Sequence, residues 1–296
     1  MAVTHTYTHA HARTRTRKQT HNTHKYRDSI IFFVQYKDKK THLALKSIAR
    51  YPPLSDDEIL ALKYEKEALT FIHPNIVGCF ASFVSETHIF FALEYMSGGD
   101  LLYYVNKHHR LNDGVSKIRA TEIIAQVVKG IHYLHTHYMI YRDLKLDNVL
   151  LDHQGNVKLA DFGLCKYITI EPGMTFCGTP DYMAPEIVQE ESYGTAVDWW
   201  AVGILLFFMI EGRSPYENSN GNEEDLFDEI ENLDDSNYFQ FSNRKIGFPN
   251  TTETDPLERF LRDCLHPNPD FRLGGNCVSK SDFKTLVEEE ERLMNH

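Results

Sequence analysis

The chain has 296 residues, 42% hydrophobic and 25% charged, which suits a soluble globular protein with one large or two-lobed domain. Its formal net charge of −11 argues against a nucleic-acid partner, because an acidic surface repels a phosphate backbone. No apolar run approaches the roughly 20 residues that span a bilayer, so we expect no transmembrane segment. The N-terminus has no hydrophobic signal core, so we expect a cytoplasmic protein.

Residues 1–27 alternate threonine, histidine and arginine, with almost no large aliphatic side chain. Such a segment cannot bury enough apolar surface to offset the entropy lost on ordering, so we predict a disordered tail. Its histidines could bind a metal weakly, but no carboxylate or cysteine organises them.

Residues 28–96 are predicted to form a small sheet with one main helix. Segments rich in apolar and β-branched or aromatic residues predict strands at 30–34, 42–46, 76–83 and 88–95, with a polar turn at 37–40. A helix is predicted over 56–71, where apolar residues recur at helical spacing and three acids occupy the first turn.

Residues 97–280 are predicted to be mostly helical, and residues 281–296 form an acidic end. Helices are expected at 101–107, 117–138, 196–211, 224–233 and 256–265, with a short strand at 149–151. A small sheet-rich part followed by a larger helical part predicts an α+β fold with two lobes.

The residues that carry chemistry are concentrated at positions 141–148, which have the sequence YRDLKLDN. An aspartate, a lysine and an amide (Asp143, Lys145 and Asn148) lie within six residues. The tripeptide DFG at 161–163 begins thirteen residues after Asn148, and APE follows at 184–186. One such tripeptide is a weak signal, but the ordered set is highly specific.

These motifs resemble those of the protein kinases, in the AGC group that contains protein kinase C, protein kinase N and protein kinase A. Tyr-Arg-Asp in place of His-Arg-Asp is typical of this group. Four further segments fit it: DFGLCK at 161–166, TFCGTPDY at 175–182, DWW at 198–200 and NPDFRLG at 268–274. The resemblance covers residues 30–274, and the protein kinase C and N branch is the most similar.

The resemblance implies a serine/threonine protein kinase that uses ATP and Mg²⁺. Phosphoryl transfer is catalysed largely by positioning and charge stabilisation. Asp143 would accept or orient the proton of the substrate hydroxyl, Lys145 would neutralise the γ-phosphate, and Thr179 would hydrogen-bond between them. Asn148 and Asp161 would supply the oxygen ligands that Mg²⁺ prefers. The alternative for Asp143 and Asn148 is a structural role in loop capping.

The resemblance also implies how nucleotide is held between the lobes. Lys46 would bind the α- and β-phosphates and pair with Glu65. Glu67 is the alternative partner, about 200° around the helix from Glu65. The remaining implied contacts are the hinge residues Glu94 and Met96, the adenine-sandwiching residues Ala44, Leu150 and Ile31, and Asp100 at the ribose.

Thr175 lies where relatives carry an activating phosphothreonine, which implies control by an upstream kinase. A phosphate there would add nearly two negative charges and could dock on Arg142 and Lys166. The alternative is an unmodified loop threonine. The resemblance further implies a buried structural ion pair between Glu186 and Arg272.

The chain departs from the family pattern at its start. No glycine precedes Gly78, although the family's glycine-rich loop, whose backbone approaches the phosphates, should lie just before Ile31. We expect the first strand to be missing as well, which would leave a sheet edge open. Residues 1–27 are therefore interpreted as a replacement for the usual start of the domain.

Two further departures concern substrate recognition and the C-terminal tail. Phe208 stands where relatives usually carry a glutamate that reads basic substrate residues, so Asp100 and Asp147 remain for that task. We expect protein substrates with basic residues near the phosphosite, but a weakened preference for arginine. The group's C-terminal tail with its hydrophobic motif is also expected to be missing.

Three hypotheses about function follow. The first is an active Mg·ATP-dependent serine/threonine kinase, favoured because every catalytic residue type is in place. The second is a catalytically weak or inactive truncated kinase-fold scaffold, which the expected loss of the glycine loop and tail would support. The third, a nucleic-acid or membrane module, rests only on the basic N-terminal residues.

Overall fold

The computed structural model describes residues 29–35, 42–110, 114–168, 173–216, 222–233 and 256–274. The predictions for the tail at 1–27, the glycine-loop position before residue 29, the turn at 37–40 and the acidic end at 281–296 lie outside the described residues. Within them, no helix is long and apolar enough to cross a membrane.

The small lobe, which precedes residue 97, is built on a four-stranded antiparallel sheet. Its strands are β1 (Ser29–Gln35), β2 (His42–Ala49), β3 (Cys79–Val84) and β4 (His88–Glu94), in the order β1-β2-β4-β3. The strand predicted from residue 76 begins three residues later than expected. The reason is that the Val77 amide donates to the carbonyl of Leu159 in the large lobe, and the Leu159 amide donates to the carbonyl of Asn75.

The long helix α1 (Asp56–Ala68) of the small lobe begins with a capping box. The Ser55 side chain accepts a hydrogen bond from the amide of Glu58, whose carboxylate accepts from the amide of Ser55. The helix ends three residues before the predicted end at 71. Thr70 has already turned out of the helix, and its hydroxyl bonds back to the carbonyl of Glu67 at 2.6 Å.

The large lobe, from residue 97 onward, is mainly helical. Its α-helices within the described residues are α2 (Leu101–Arg110), α3 (Lys117–Thr136), α4 (Pro185–Val188), α5 (Ala196–Glu211), α6 (Glu223–Glu231) and α7 (Pro256–Cys264). Helix α5 has the predicted bounds. Apolar side chains occupy nearly all of its faces, and nearly all of its residues are buried, as expected for such a helix. Helix α3 stops before its predicted end at 138, because Tyr138 adopts a left-handed backbone with φ 59°.

Short strands position the loops between the lobes. They are β5 (Gly99–Asp100), β6 (Met139–Ile140), β7 (Val149–Leu151), β8 (Val157–Leu159) and β9 (Lys166–Tyr167). Strands β5, β7 and β8 form one sheet, and β6 pairs with β9. Only β7 was predicted. The arrangement confirms the predicted α+β fold with two lobes.

A buried ion pair ties the end of the described chain to the core of the large lobe. Arg272 donates to both carboxylate oxygens of Glu186, at 2.6 and 2.9 Å. Its guanidinium carbon lies 5.0 Å from the ring centre of Trp200, and its remaining donors reach backbone carbonyls, including that of Ala196. Since Arg272 is fully buried, these contacts compensate for its lost hydration.

Candidate active site

A cleft of about 1350 Å³ lies between the two lobes. Every nucleotide-contact residue implied by the resemblance lines it, namely Ile31, Ala44, Lys46, Glu94, Met96, Asp100 and Leu150. Glu65, Asn148 and Asp161 line it as well. The cleft therefore has apolar walls and a polar end, a composition that suits an aromatic ring joined to a charged group.

Strand geometry explains how the small lobe contributes to this cleft. Side chains alternate along a strand, so Ala44 and Lys46 lie on the same face of β2. Ile31 of β1 is paired with Lys46 across the sheet, and Leu93 of β4 is paired with Ala44. The pairing register thus brings apolar side chains next to Lys46.

Lys46 bridges two carboxylates that come from different lobes. Its ammonium group donates to Glu65 on α1 and to Oδ1 of Asp161 at 2.8 Å. Lys46 and Glu65 are both buried. Glu67, the alternative partner, is exposed and interacts with Tyr167 instead. The structure therefore selects Glu65 as the partner of Lys46.

The charges in this triad stabilise one another. Burial acts to lower the pKa of Lys46, but the carboxylates of Asp161 and Glu65 outweigh burial, so this pKa is raised. Burial raises the pKa of Glu65 against the influence of Lys46. The Lys46 ammonium holds the pKa of Asp161 below its usual value. At neutral pH the site therefore presents a charged lysine and an ionised aspartate.

Asp143 lies at the centre of a hydrogen-bond network in the loop before β7. The Lys145 ammonium is 2.7 and 2.8 Å from its two carboxylate oxygens. Thr179 donates to Asp143 at 3.0 Å and accepts from Lys145 at 2.8 Å. The amide nitrogen of Asn148 donates to the Asp143 carboxylate at 2.8 Å. Sequence reasoning placed Thr179 between these two residues, and the structure has it there.

Burial raises the pKa of Asp143, although the nearby Lys145 and the hydrogen bond from Thr179 act in the opposite direction. A carboxylate with a raised pKa is a better proton acceptor than an ordinary exposed one. Asp143 thus has the position and the basicity for work on a hydroxyl proton.

A buried aspartate that sequence reasoning left without a role holds this loop. Asp198 of α5 accepts hydrogen bonds at 2.8 Å from the backbone amides of Tyr141 and Arg142, and its Oδ2 is 2.8 Å from His135 Nε2. Arg142 and Asp161 both have left-handed backbones, with φ of 64° and 61°, which costs about 1–3 kcal/mol each. An acid inside the otherwise apolar run of α5 was the available signal, because buried charges need specific partners.

The segment around Thr175 is connected to the catalytic loop through Tyr193, another residue that sequence reasoning missed. The Tyr193 hydroxyl donates to the carbonyl of Thr175 at 2.7 Å and accepts from the Arg142 guanidinium at 3.0 Å. Arg142 also donates to the carbonyl of Leu164 at 2.7 Å. Lys166, the other predicted support, lies in β9, where it pairs with Ile140.

An aromatic pair lies beside the catalytic loop. The Tyr182 hydroxyl accepts a hydrogen bond from the amide of Leu146 at 3.3 Å. The ring of Phe208 stacks on Tyr182, with centroids 5.4 Å apart. Next to Tyr182, the carboxylate of Asp181 accepts from Ser214 at 2.8 Å. The surface at Phe208 is therefore apolar and is one ring away from the loop that carries Asp143.

Comparison with known proteins agrees with this geometry. The family described as "Protein kinase domain" matches residues 29–284. The chain is 39% identical over 249 residues to protein kinase C eta type of Mus musculus, which covers 82% of this chain and 34% of that protein. It is 37% identical over 255 residues to serine/threonine-protein kinase N2 of Danio rerio, covering 82% and 24%. It is 41% identical over 236 residues to protein kinase C of Drosophila melanogaster, covering 78% and 29%.

The chain thus spans about a quarter to a third of the length of these relatives. The matched part includes the cleft, the Asp143 network and the Lys46 triad. The chain belongs to the protein kinase family, in the group that contains protein kinase C and protein kinase N.

Proposed function

We propose that this chain is a serine/threonine protein kinase that transfers the γ-phosphate of ATP to serine or threonine hydroxyls of proteins. The observation that carries the proposal is the network in which Lys145 and Thr179 both bond to Asp143. This network adjoins a cleft whose inner end holds the ion triad centred on Lys46. The names of the relatives, protein kinase C and serine/threonine-protein kinase N2, support the same activity.

The residues of the cleft fit an ATP molecule with a divalent cation. Asp161 is ionised and its side chain is 49% exposed, so one hard oxygen donor faces the cleft. Asn148 uses its amide nitrogen on Asp143, which leaves its carbonyl oxygen as a second donor of the kind that Mg²⁺ prefers. Bound Mg²⁺ would supply positive charge to the phosphates. Lys46 would add its own charge from the opposite wall.

In the proposed reaction, Asp143 accepts the proton of the substrate hydroxyl. The hydroxyl oxygen forms a bond to the γ-phosphorus of ATP, and the bond from that phosphorus to the ADP oxygen breaks. Lys145 neutralises charge on the moving phosphoryl group and keeps Asp143 oriented. Such stabilisation of charge that develops in the transition state is usually the largest catalytic contribution.

We propose two finer features on the same basis. Phosphorylation of Thr175 by an upstream kinase would act on the loop that Tyr193 connects to Arg142, with Lys166 as a further cation. Substrates would carry basic residues near the phosphosite, read by Asp100 and Asp147. The apolar surface at Phe208 supports a weaker preference for arginine than one with a carboxylate there.

The experiment is phosphate transfer from labelled ATP·Mg to a basic serine peptide, comparing the chain with its Asp161→Ala and Asp143→Asn variants. Asp225→Ala, on the exposed side of α6, is the matched control. We expect transfer in the unchanged chain and in the control, and its loss in both site variants. If no protein transfers phosphate or binds ATP while all are folded, the chain is a kinase-fold scaffold and the proposal is wrong.

A further inference from the structure

One face of α2 extends the catalytic cleft away from the phosphate end. Tyr103, Asn106, Lys107 and Arg110 all line the cleft. Asn106, Lys107 and Arg110 follow Tyr103 by three, four and seven residues, and this spacing places all four on one side of the helix. The face ends in two cations, whereas the chain as a whole has a net charge of −11.

The other basic residues at this end of α2 have structural partners. The His108 ring packs on Tyr104 with centroids 4.4 Å apart, and a ring nitrogen of His109 lies 3.1 Å from the carbonyl oxygen of Met209 on α5. The His109 contact fixes the end of the helix against α5. Lys107 and Arg110 are exposed, and neither has an ion-pair partner among the described residues.

The helix dipole accounts for some of the benefit of cations in a last helical turn. That effect depends on their position along the axis and not on the face they occupy. In α2, His109 contacts α5 while Lys107 and Arg110 line the cleft, so the dipole alone does not explain the arrangement.

The cleft therefore carries charges in a definite order. Asp100, whose carboxylate accepts from the amide of Tyr103 at 2.8 Å, lies at the start of α2, and Asp147 lines the cleft as well. Lys107 and Arg110 lie at the far end, about 15 Å further for ten residues of helix. An extended peptide covers that distance in about four or five residues.

We infer that Lys107 and Arg110 bind acidic side chains of the protein substrate, about four or five residues along the peptide from the substrate residue that faces Asp100. The inference rests on the proposed kinase function and adds a substrate feature to it. A substrate would carry basic residues near the phosphosite, facing Asp100 and Asp147, and acidic residues further along, facing the end of α2. Complementary charge of this kind sets orientation and partner choice.

The test uses fluorescent serine peptides in which a Glu-Glu pair is moved one position at a time along both sides of the serine, each with a matched Gln-Gln peptide. Dissociation constants are measured by anisotropy, and kcat/KM is measured with ATP·Mg. At one register we expect the Glu-Glu peptide to bind about fivefold tighter than its Gln-Gln match, as two exposed ion pairs allow.

Two variants show whether α2 is responsible. The double variant Lys107→Glu with Arg110→Glu should reverse the preference at that register, so that a Lys-Lys peptide binds best. The double variant Lys63→Glu with Lys66→Glu, on the exposed side of α1, makes the same charge change elsewhere and should leave the preference intact. Transfer to the Gln-Gln peptides should be unchanged in the α1 variant.

The inference is wrong if no register distinguishes Glu-Glu from Gln-Gln, or if the α2 variant keeps the original preference. These outcomes differ from a failure of the kinase proposal. If no peptide is phosphorylated while the Glu-Glu peptide still binds tighter through α2, the binding surface is supported and the kinase proposal is wrong. If Glu-Glu and Gln-Gln peptides are phosphorylated equally well at every register, the kinase proposal is supported and the binding surface is wrong.

Discussion

The carboxylate of Asp198 holds Arg142 in place by accepting its backbone amide at 2.8 Å, and it accepts the amide of Tyr141 at the same distance. Arg142 has a left-handed backbone, so this acceptor stabilises a conformation that a non-glycine residue adopts at a cost. The position of Asp143, the next residue, depends on it. A residue on α5 thus controls the geometry of the catalytic loop without touching substrate.

Replacing Asp198 by Asn should lower kinase activity, although the two side chains are nearly the same size. The amide group of Asn has one acceptor oxygen, and its NH₂ group would face a backbone donor. An unsatisfied buried donor costs about 1–3 kcal/mol, so we expect kcat to fall about tenfold or more. Peptide phosphorylation and thermal unfolding together measure the effect. Asp225→Asn is the exposed control, and unchanged kcat in Asp198→Asn would contradict the role.

The ion pair between Lys158 and Glu94 should influence the KM for ATP. Lys158 of β8 donates to the Glu94 carboxylate at 2.8 Å, and the amide of Gly78 donates to the same oxygen at 3.2 Å. The pair joins the hinge to the sheet that carries Leu150. Lys158→Met should therefore raise KM for ATP about two- to fivefold, since the pair is partly exposed and worth about 0.5–1 kcal/mol. We expect kcat to change little.

The conservative variant Lys158→Arg should have a KM for ATP close to that of the unchanged chain, because it keeps a cation at position 158. The charge-reversed pair, Lys158→Glu with Glu94→Lys, should restore KM only in part, since the lysine at 94 cannot accept from Gly78. Equal KM values for Lys158→Met and the unchanged chain would show that the ion pair does not position the hinge.

Thr179 should influence the pH dependence of the reaction. Burial raises the pKa of Asp143, and the hydrogen bond from Thr179 lowers it, so Thr179→Val should raise this pKa further. The ionised carboxylate is the active base, so activity is present above its pKa and is lost as pH falls through it. The acid limb of the kcat profile should therefore move to higher pH in Thr179→Val. Thr136→Val, at the exposed end of α3, is the control, and a limb that stays or moves lower contradicts the prediction.

The ion pair between Glu186 and Arg272 should matter for stability rather than for chemistry. Glu186→Ala leaves a buried guanidinium without its carboxylate, which should lower the free energy of unfolding by about 3–5 kcal/mol. Denaturant titration followed by circular dichroism should show a loss of this size. Glu191→Ala, at an exposed site nearby, should show almost none. A loss below about 1 kcal/mol for Glu186→Ala would mean that the site relaxes or admits water.

The sequence allowed the long elements and the motif residues to be predicted, because both depend on short spacings. Helix α5 is the clearest case, since an almost continuous apolar run has few alternatives. Element ends were less predictable because distant contacts decide them, as when Val77 donates to Leu159 rather than extending β3.

The parts of the site that were missed depend on contacts between distant positions. Asp198 bonds to a residue 57 positions away, Tyr193 to one 51 away and Lys158 to one 64 away. No local pattern specifies such partners. Likewise, residue types alone left two candidate partners for Lys46, and only the family pattern or the fold distinguishes them.

The packing of Trp200 on Arg272 has a consequence for spectroscopy. Both tryptophans of the chain, Trp199 and Trp200, are buried in α5. Tryptophan emission therefore reports on the core of the large lobe alone. If the small lobe opened first on heating, the emission would not change, and a single-probe melting curve would overestimate the temperature range in which Lys46 and Glu65 remain paired. A tryptophan introduced at Phe91, which is buried in the small-lobe sheet, would make the two lobes separately visible.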